Sequence, residues 1–250
     1  MTAEKRADFD AISADEREAQ HSAAVRAMFS GIARRYDLLN HLLSLNIDKT
    51  WRRKERGTIA DVLRRPDARV LDVACGTGDL TLALADGAKA KVVGTDFCAP
   101  MLELAKQKTK AKSAAIPFVE ADAMKLPLDD RSFDAATIGF GLRNLPNIEN
   151  GLRELHRILK SGGTLVVLEF SSPFIPGFRQ LFNLYFRRIL PLIGGMISGS
   201  RAAYTYLPGS VAKFLDQREL AELMVERGFV EVKYTNLTGG IVAIHVGRKR

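Results

Sequence analysis

The chain has 250 residues, 46% hydrophobic and 26% charged, with a formal net charge of +8. That length holds one α/β domain with a full core and would cramp two. No apolar run approaches the ~20 residues needed to span a bilayer. The first twenty residues mix six acids with three bases instead of forming a signal-peptide core, so a cytoplasmic location is expected. Two cysteines, Cys75 and Cys98, predict no disulfide framework, and His21, His41, His156 and His245 show no metal-ligand spacing, so no metal is expected. The basic surplus suits an anionic partner or membrane surface, or solubility alone.

Taken in order, residues 1–20 read as a flexible arm and 21–250 as one domain. Residues 21–65 are helical, with polar breaks near Asn46 and Gly57. Strand and helix signals then alternate: β at 69–74, 91–96, 117–121, 133–140 and 164–169, with helices at 79–85, from Pro100 to about Lys110, and at 148–159. The last of these helices is expected to stop at Ser161-Gly162-Gly163. Such alternation predicts a parallel sheet covered on both faces. Residues 170–215 form an insertion rich in apolar and aromatic side chains, with no acid and five bases. A helix at 217–227 precedes two β runs, 229–237 and 241–248, joined by a Thr-Gly-Gly turn, which read as a hairpin. A Rossmann-like, mostly parallel seven-stranded sheet ending in a β-hairpin is the α/β architecture of class I methyltransferases.

The strongest motif is Val70-Leu71-Asp72-Val73-Ala74-Cys75-Gly76-Thr77-Gly78-Asp79, placed between a strand and a helix. Its glycines allow a sharp turn and close backbone approach to a ligand, and the amides at the helix start suit a carboxylate. Asp96 ends the second strand, where a carboxylate accepts bonds from two ribose hydroxyls. Asp122-Ala123 closes the third strand, where an acid suits the adenine amino group and a backbone amide suits a ring nitrogen. Thr81 stands where a dinucleotide fingerprint would place its third glycine, and Asp72 would be awkward beside a pyrophosphate. The expected cofactor is therefore S-adenosylmethionine, held by Asp72, Gly76, Gly78, Asp96, Asp122 and Ala123. Each of these has a plainer reading as well: glycines ending a strand, acids capping the next helix.

Over residues 24–250 the sequence resembles the ubiquinone/menaquinone biosynthesis C-methyltransferase family, nearest the demethylmenaquinone methyltransferase type. The resemblance is carried by Phe29-Ser-Gly-Ile-Ala-Arg-Arg-Tyr-Asp-Leu-Leu-Asn-His-Leu-Leu-Ser44 continuing to Trp51, by 71–80, by Phe140-Gly-Leu-Arg-Asn144, by 157–171 and by Asn236-Leu-Thr-Gly-Gly-Ile-Val-Ala-Ile-His245. Leu39 replaces a family methionine, Asp48 replaces a histidine and Gly139 replaces a serine, which rules out imidazole chemistry at 48 and hydroxyl chemistry at 139. The resemblance carries the family's cofactor positions over to Thr77, Asp96 and Asp122-Ala123, and it implies C-methylation of a polyprenyl quinol ring, demethylmenaquinol to menaquinol, with a benzoquinol intermediate of ubiquinone biosynthesis as the alternative.

For that reaction the donor is already activated, and the protein must align the reactants, exclude water and move protons. Arg143 is expected to stabilise a phenolate and Asn144 to orient the hydroxyl; the plainer alternative is an ion pair with a surface acid and a turn cap. Tyr36 and Phe140 are expected at the substrate, Tyr36 and Asp37 closing over the cofactor. The insertion suits a lid over a polyprenyl tail with peripheral membrane contact, or else a buried cap or homodimer interface. A nucleic-acid methyltransferase is disfavoured: no Asn/Asp-Pro-Pro-Tyr motif follows the fourth strand, and neither cysteine follows a proline. No nucleic acid is expected as partner. A scaffold without activity, or a methyltransferase for another small molecule, shares the fold and differs only in the family-specific segments.

Overall fold

The computed structural model describes residues 13–112, 115–173 and 201–250, together with Ile175, Gly177, Gln180, Phe182, Leu184 and Tyr185. The first helix, α1 (Ala14–Leu43), begins at a capping box: the Ser13 hydroxyl accepts from the Glu16 amide and the Glu16 carboxylate accepts from the Ser13 amide. Residues 14–20, expected in the flexible arm, are thus its opening turns; the mixed charge there lies on a capped helix. Residues 1–12 of that arm lie outside the described residues. Two left-handed residues, Leu45 and Asn46, reverse the chain into α2 (Ile47–Thr58), followed by the single turn α3 (Ala60–Leu63).

The doubly wound part comprises β1 (Arg69–Val73), α4 (Asp79–Ala85), β2 (Lys91–Asp96), α5 (Ala99–Ala111), β3 (Phe118–Glu120), β4 (Phe133–Gly139), α6 (Ile148–Ile158) and β5 (Leu159–Phe170). After α7 (Arg201–Lys213) and α8 (Gln217–Glu226) the chain ends in β6 (Phe229–Leu237) and β7 (Val242–Lys249). The seven strands lie in the order β3-β2-β1-β4-β5-β7-β6, with β7 antiparallel to both neighbours, as the hairpin reading requires. One expected boundary moves. The chain passes from α6 directly into β5, so Ser161-Gly162-Gly163 lies inside the strand. There Phe133 pairs with Leu159 and, past a register shift, Ala135 with Thr164, the left-handed Gly162 absorbing the extra residues.

Period-two alternation splits the core. Leu71, Phe133, Ile138, Leu165 and Val167 face one apolar layer, while Val70, Ala135, Val166 and Leu168 face the other. The second layer is closed by Trp51, Ile59 and Leu63 from the N-terminal helices, which places α2 against the sheet. Most of the 170–215 insertion lies outside the described residues. No helix among those described is long and apolar enough to cross a membrane.

Candidate active site

The strand order turns around between β1 and β4, and ligands of such sheets bind beyond the strand ends at that point. Leaving β1, Ala74 takes φ 51°; leaving β4, Phe140 takes φ 57°. Both are left-handed without being glycine, a strain typical of functional edges. Gly141 lets the two loops nest, since a Cβ there would lie 2.6 Å from the Ala74 Cβ.

A small recess of about 60 Å³ opens beside these loops, walled by Gly76, Asp96, Phe97, Asp122, Ala123 and Asn144 among others. Asp96 accepts the amides of Gly76 and Cys98, each at 2.8 Å, so its carboxylate fixes the loop as well as facing the recess. Burial pushes its acid above the usual carboxylate range, against those backbone bonds. Asp122 is exposed and accepts the Met124 amide at 2.8 Å, while Ala123 is buried beside it. An acid at the end of β2 and an apolar flank of Phe97 and Met101 fit a nucleoside.

Three further residues of the expected cofactor set, Asp72, Thr77 and Gly78, do not line this recess, and the first two line the adjoining cavity. Asp72 is fully buried beneath the loop, accepting from Thr81 at 2.5 Å and Thr137 at 3.0 Å. Burial pushes its acid up to about 7. Thr77 donates to Asp37 and accepts from Lys108 at 3.0 Å, and it faces a second, larger cavity. Gly78 packs the loop on α5: a Cβ there would lie 3.0 Å from the Ala105 Cβ. The helix start expected to meet a carboxylate carries Asp79, which holds Lys108 at 2.7 Å.

The second cavity measures about 510 Å³ and shares Phe29, Tyr36, Ala74, Gly76, Gly139 and Phe140 with the recess. An aromatic wall runs through it: Trp51 to Phe140 at 5.9 Å, Phe140 to Phe170 at 4.9 Å. Trp51 is fixed by its indole N–H donating to Thr238 Oγ1 at 2.9 Å. Phe182, Leu184, Tyr185, Tyr206 and Leu207 of the insertion add to the lining. Tyr36 stands between recess and cavity, its phenol pushed up by burial.

Arg143 pairs with an acid, and that acid is buried rather than at the surface. Its guanidinium lies 2.8 Å from Glu169 Oε1, with side chains 7% and 1% exposed, and donates to the Phe140 carbonyl at 2.6 Å. Asn144 donates to the same carbonyl at 3.2 Å and accepts from Tyr206 at 3.2 Å.

Sequence reasoning missed two groups. His41 Nδ1 lies 2.9 Å from Asp48 Oδ2, so an imidazole reaches the place where the chain itself carries an acid. Burial raises the Asp48 acid, but bonds from Ser44, Arg52 and His41 together bring it below its ordinary value. The other is Glu55, fully buried, lining the cavity behind Gly139.

The profile of the ubiE/COQ5 methyltransferase family matches residues 15–249. This chain belongs to that family. A Deinococcus radiodurans protein described as a demethylmenaquinone methyltransferase is 48% identical over 228 residues, 91% of this chain and 93% of its own. One from Thermus thermophilus with the same description is 49% identical over 221 residues, 88% of this chain and 99% of its own. A Geobacter relative, 47% identical over 90% of this chain and 96% of its own, is described as a ubiquinone/menaquinone biosynthesis C-methyltransferase. Among solved structures, a SAM-dependent methyltransferase from Thermotoga maritima superposes with TM-score 0.62 at 21% identity, covering 90% of this chain and 99% of that one. That likeness establishes the class I methyltransferase fold. The large cavity and the small recess beside it thus lie on a methyltransferase of this family.

Proposed function

We propose that this family member transfers the methyl group of S-adenosylmethionine to a ring carbon of a polyprenyl quinol, demethylmenaquinol in menaquinone formation. The observation that carries the reading is the apolar, aromatic-walled cavity of about 510 Å³ sharing a wall with the nucleoside recess. Such a cavity suits a flat ring with a hydrocarbon tail. The descriptions of the relatives point the same way.

When bound, S-adenosylmethionine supplies an activated methyl group. Asp96 would accept from the ribose hydroxyls, and Asp122 with Ala123 would meet the adenine edge. Arg143 holds a positive charge at the cavity wall, where it favours a phenolate; its Nε has no partner among the described residues. Asn144, fixed between Phe140 and Tyr206, buttresses the loop that carries Arg143. Tyr36 and Phe140 line both spaces and would flank the path of the methyl group from one to the other. Leu45 and Ile47 line the cavity and are also exposed, and Leu38 and Leu42 are exposed beside them. This apolar rim suits work against a membrane surface, where such a tail resides.

The test is methyl transfer from labelled S-adenosylmethionine to reduced demethylmenaquinol, beside a reduced benzoquinol precursor and bulk tRNA. Label in the naphthoquinol is expected. Label only in the benzoquinol moves the head group; label only in tRNA, or nowhere, defeats the reading.

A further inference from the structure

Glu55 lies on the inner face of α2, wholly buried, and neither carboxyl oxygen has a hydrogen-bond partner among the described residues. A buried acid without partners costs stability and returns nothing to the fold. Its position is specific. A Cβ built on Gly139 would stand 3.4 Å and 3.9 Å from its two oxygens. Gly139 ends β4 and walls both the recess and the cavity, so the carboxyl sits at the partition between them. A side chain at 139 would meet this carboxyl, with Leu80 Cδ2 nearer still at 3.2 Å.

The charged neighbours on each packed element are otherwise engaged. Asp72 on β1 is held by Thr81 and Thr137, and Glu169 on β5 by Arg143. Arg52, on the same helix, pairs with Asp48, and Asp48 also accepts from Ser44 and His41. Glu55 alone among these acids is uncommitted and faces the cavity.

The geometry points to Glu55 as the catalytic base that takes the quinol hydroxyl proton during methyl transfer, an assignment that rests on the quinol reading above. As the ring carbon bonds to the methyl carbon, the carbon–sulfur electron pair stays on sulfur. The hydroxyl proton moves to a Glu55 oxygen and the hydroxyl oxygen becomes a carbonyl. The ring carbon then loses its hydrogen as a proton to water, and the carbonyl oxygen recovers its proton from Glu55. The ring is aromatic again, and the one proton released matches the positive charge lost from sulfur. Burial, then Asp72 and Glu169, hold the Glu55 acid well above its ordinary range, with Arg52 opposing. A carboxyl tuned upward is matched to a phenolic proton better than an ordinary one. The working form is the carboxylate, so turnover rises as pH rises through that raised value.

The wild-type chain is assayed first; if no quinol is methylated, the functional reading fails and this assignment with it. Given turnover, Glu55→Gln is expected to lower kcat by about 100-fold or more. Cofactor affinity by calorimetry should stay within about threefold, since the acid is only at the partition. The wild-type rise of kcat with pH should disappear in Glu55→Gln, and Glu55→Asp should restore part of the rate. Independently of turnover, carboxyl carbon-13 NMR of the cofactor-free protein should show one glutamate titrating well above the ordinary range. That signal should vanish in Glu55→Gln, or move in Glu55→Asp if the glutamine variant does not fold, and should shift on adding 1,4-dihydroxynaphthalene. A Glu55→Gln rate within about threefold of wild type, an unchanged pH limb, or a carboxyl signal indifferent to the probe overturns the assignment.

Discussion

The recess and the cavity differ in how they are made. The recess is built from strand-end loops, with Gly76, Asp96 and Asp122 following β1, β2 and β3 in chain order. Its parts are held by backbone amides close at hand, such as those of Gly76 and Cys98 on Asp96. The cavity is a meeting of distant elements: α1, α2, the ends of β4 and β5, α7 and the turn between β6 and β7. One of its fixing contacts spans most of the chain, the Trp51 indole donating to Thr238, and another, Arg143 with Glu169, ties the ends of two adjacent strands. A site carried by the loops of a sheet can keep its form while helices around it are re-sorted, so on the proposed function the cavity is the part that selects the ring.

The difference predicts separable damage. The largest effect is expected at the wall of the cavity, which Arg143 lines. Arg143→Met strands Glu169, 1% exposed, as a buried carboxylate, which should cost about 3–5 kcal/mol in urea unfolding. Adding Glu169→Gln should recover most of that loss; if it does not, the pair is not what holds this wall. Next comes Asp96→Ala, which frees two amides of the glycine loop. It should weaken cofactor binding by about 10- to 100-fold by calorimetry, while the quinol KM at saturating cofactor changes little. A comparable loss of quinol binding would erase the distinction between the compartments. Smallest is Trp51→Phe, which removes the bond to Thr238. About 1 kcal/mol is expected, roughly a fivefold rise in quinol KM with cofactor affinity unchanged.

The same division governs what could be read from the sequence. Short β runs alternating with helical stretches announced the five parallel strands, two β runs about a Thr-Gly-Gly turn announced the terminal hairpin, and the glycine loop with Asp96 and Asp122 stood at recognisable spacing. These are local signals, and the recess is locally built. The start of α1 was also local, in Ser13 and Glu16, but the charge around it read as an arm. Glu55 follows Trp51-Arg52-Arg53-Lys54, a run that reads as a solvated helix face. Its burial depends on α2 pressing against the sheet, which only the tertiary fold decides. His41 reaches Asp48 across the left-handed turn at Leu45 and Asn46, a contact that neither helical nor strand spacing encodes. Asp72 shows the reverse limit: the motif marked it as important, and its place beneath the loop made it a support.

Helix α1 ties the two compartments together. Its Phe29 and Tyr36 stand in the walls of both, His21 lies 3.2 Å from the Asn144 carbonyl, and Glu18 accepts from Asn147 at 3.0 Å. One helix of 30 residues therefore takes part in both walls. Any displacement of it on filling one chamber alters the free energy of filling the second, and such coupling is reciprocal. On the proposed function, the factor by which the nucleoside changes affinity for the ring must equal the factor by which the ring changes affinity for the nucleoside. The order of arrival is then a kinetic matter, because the thermodynamic bond between the two guests is the same along either route.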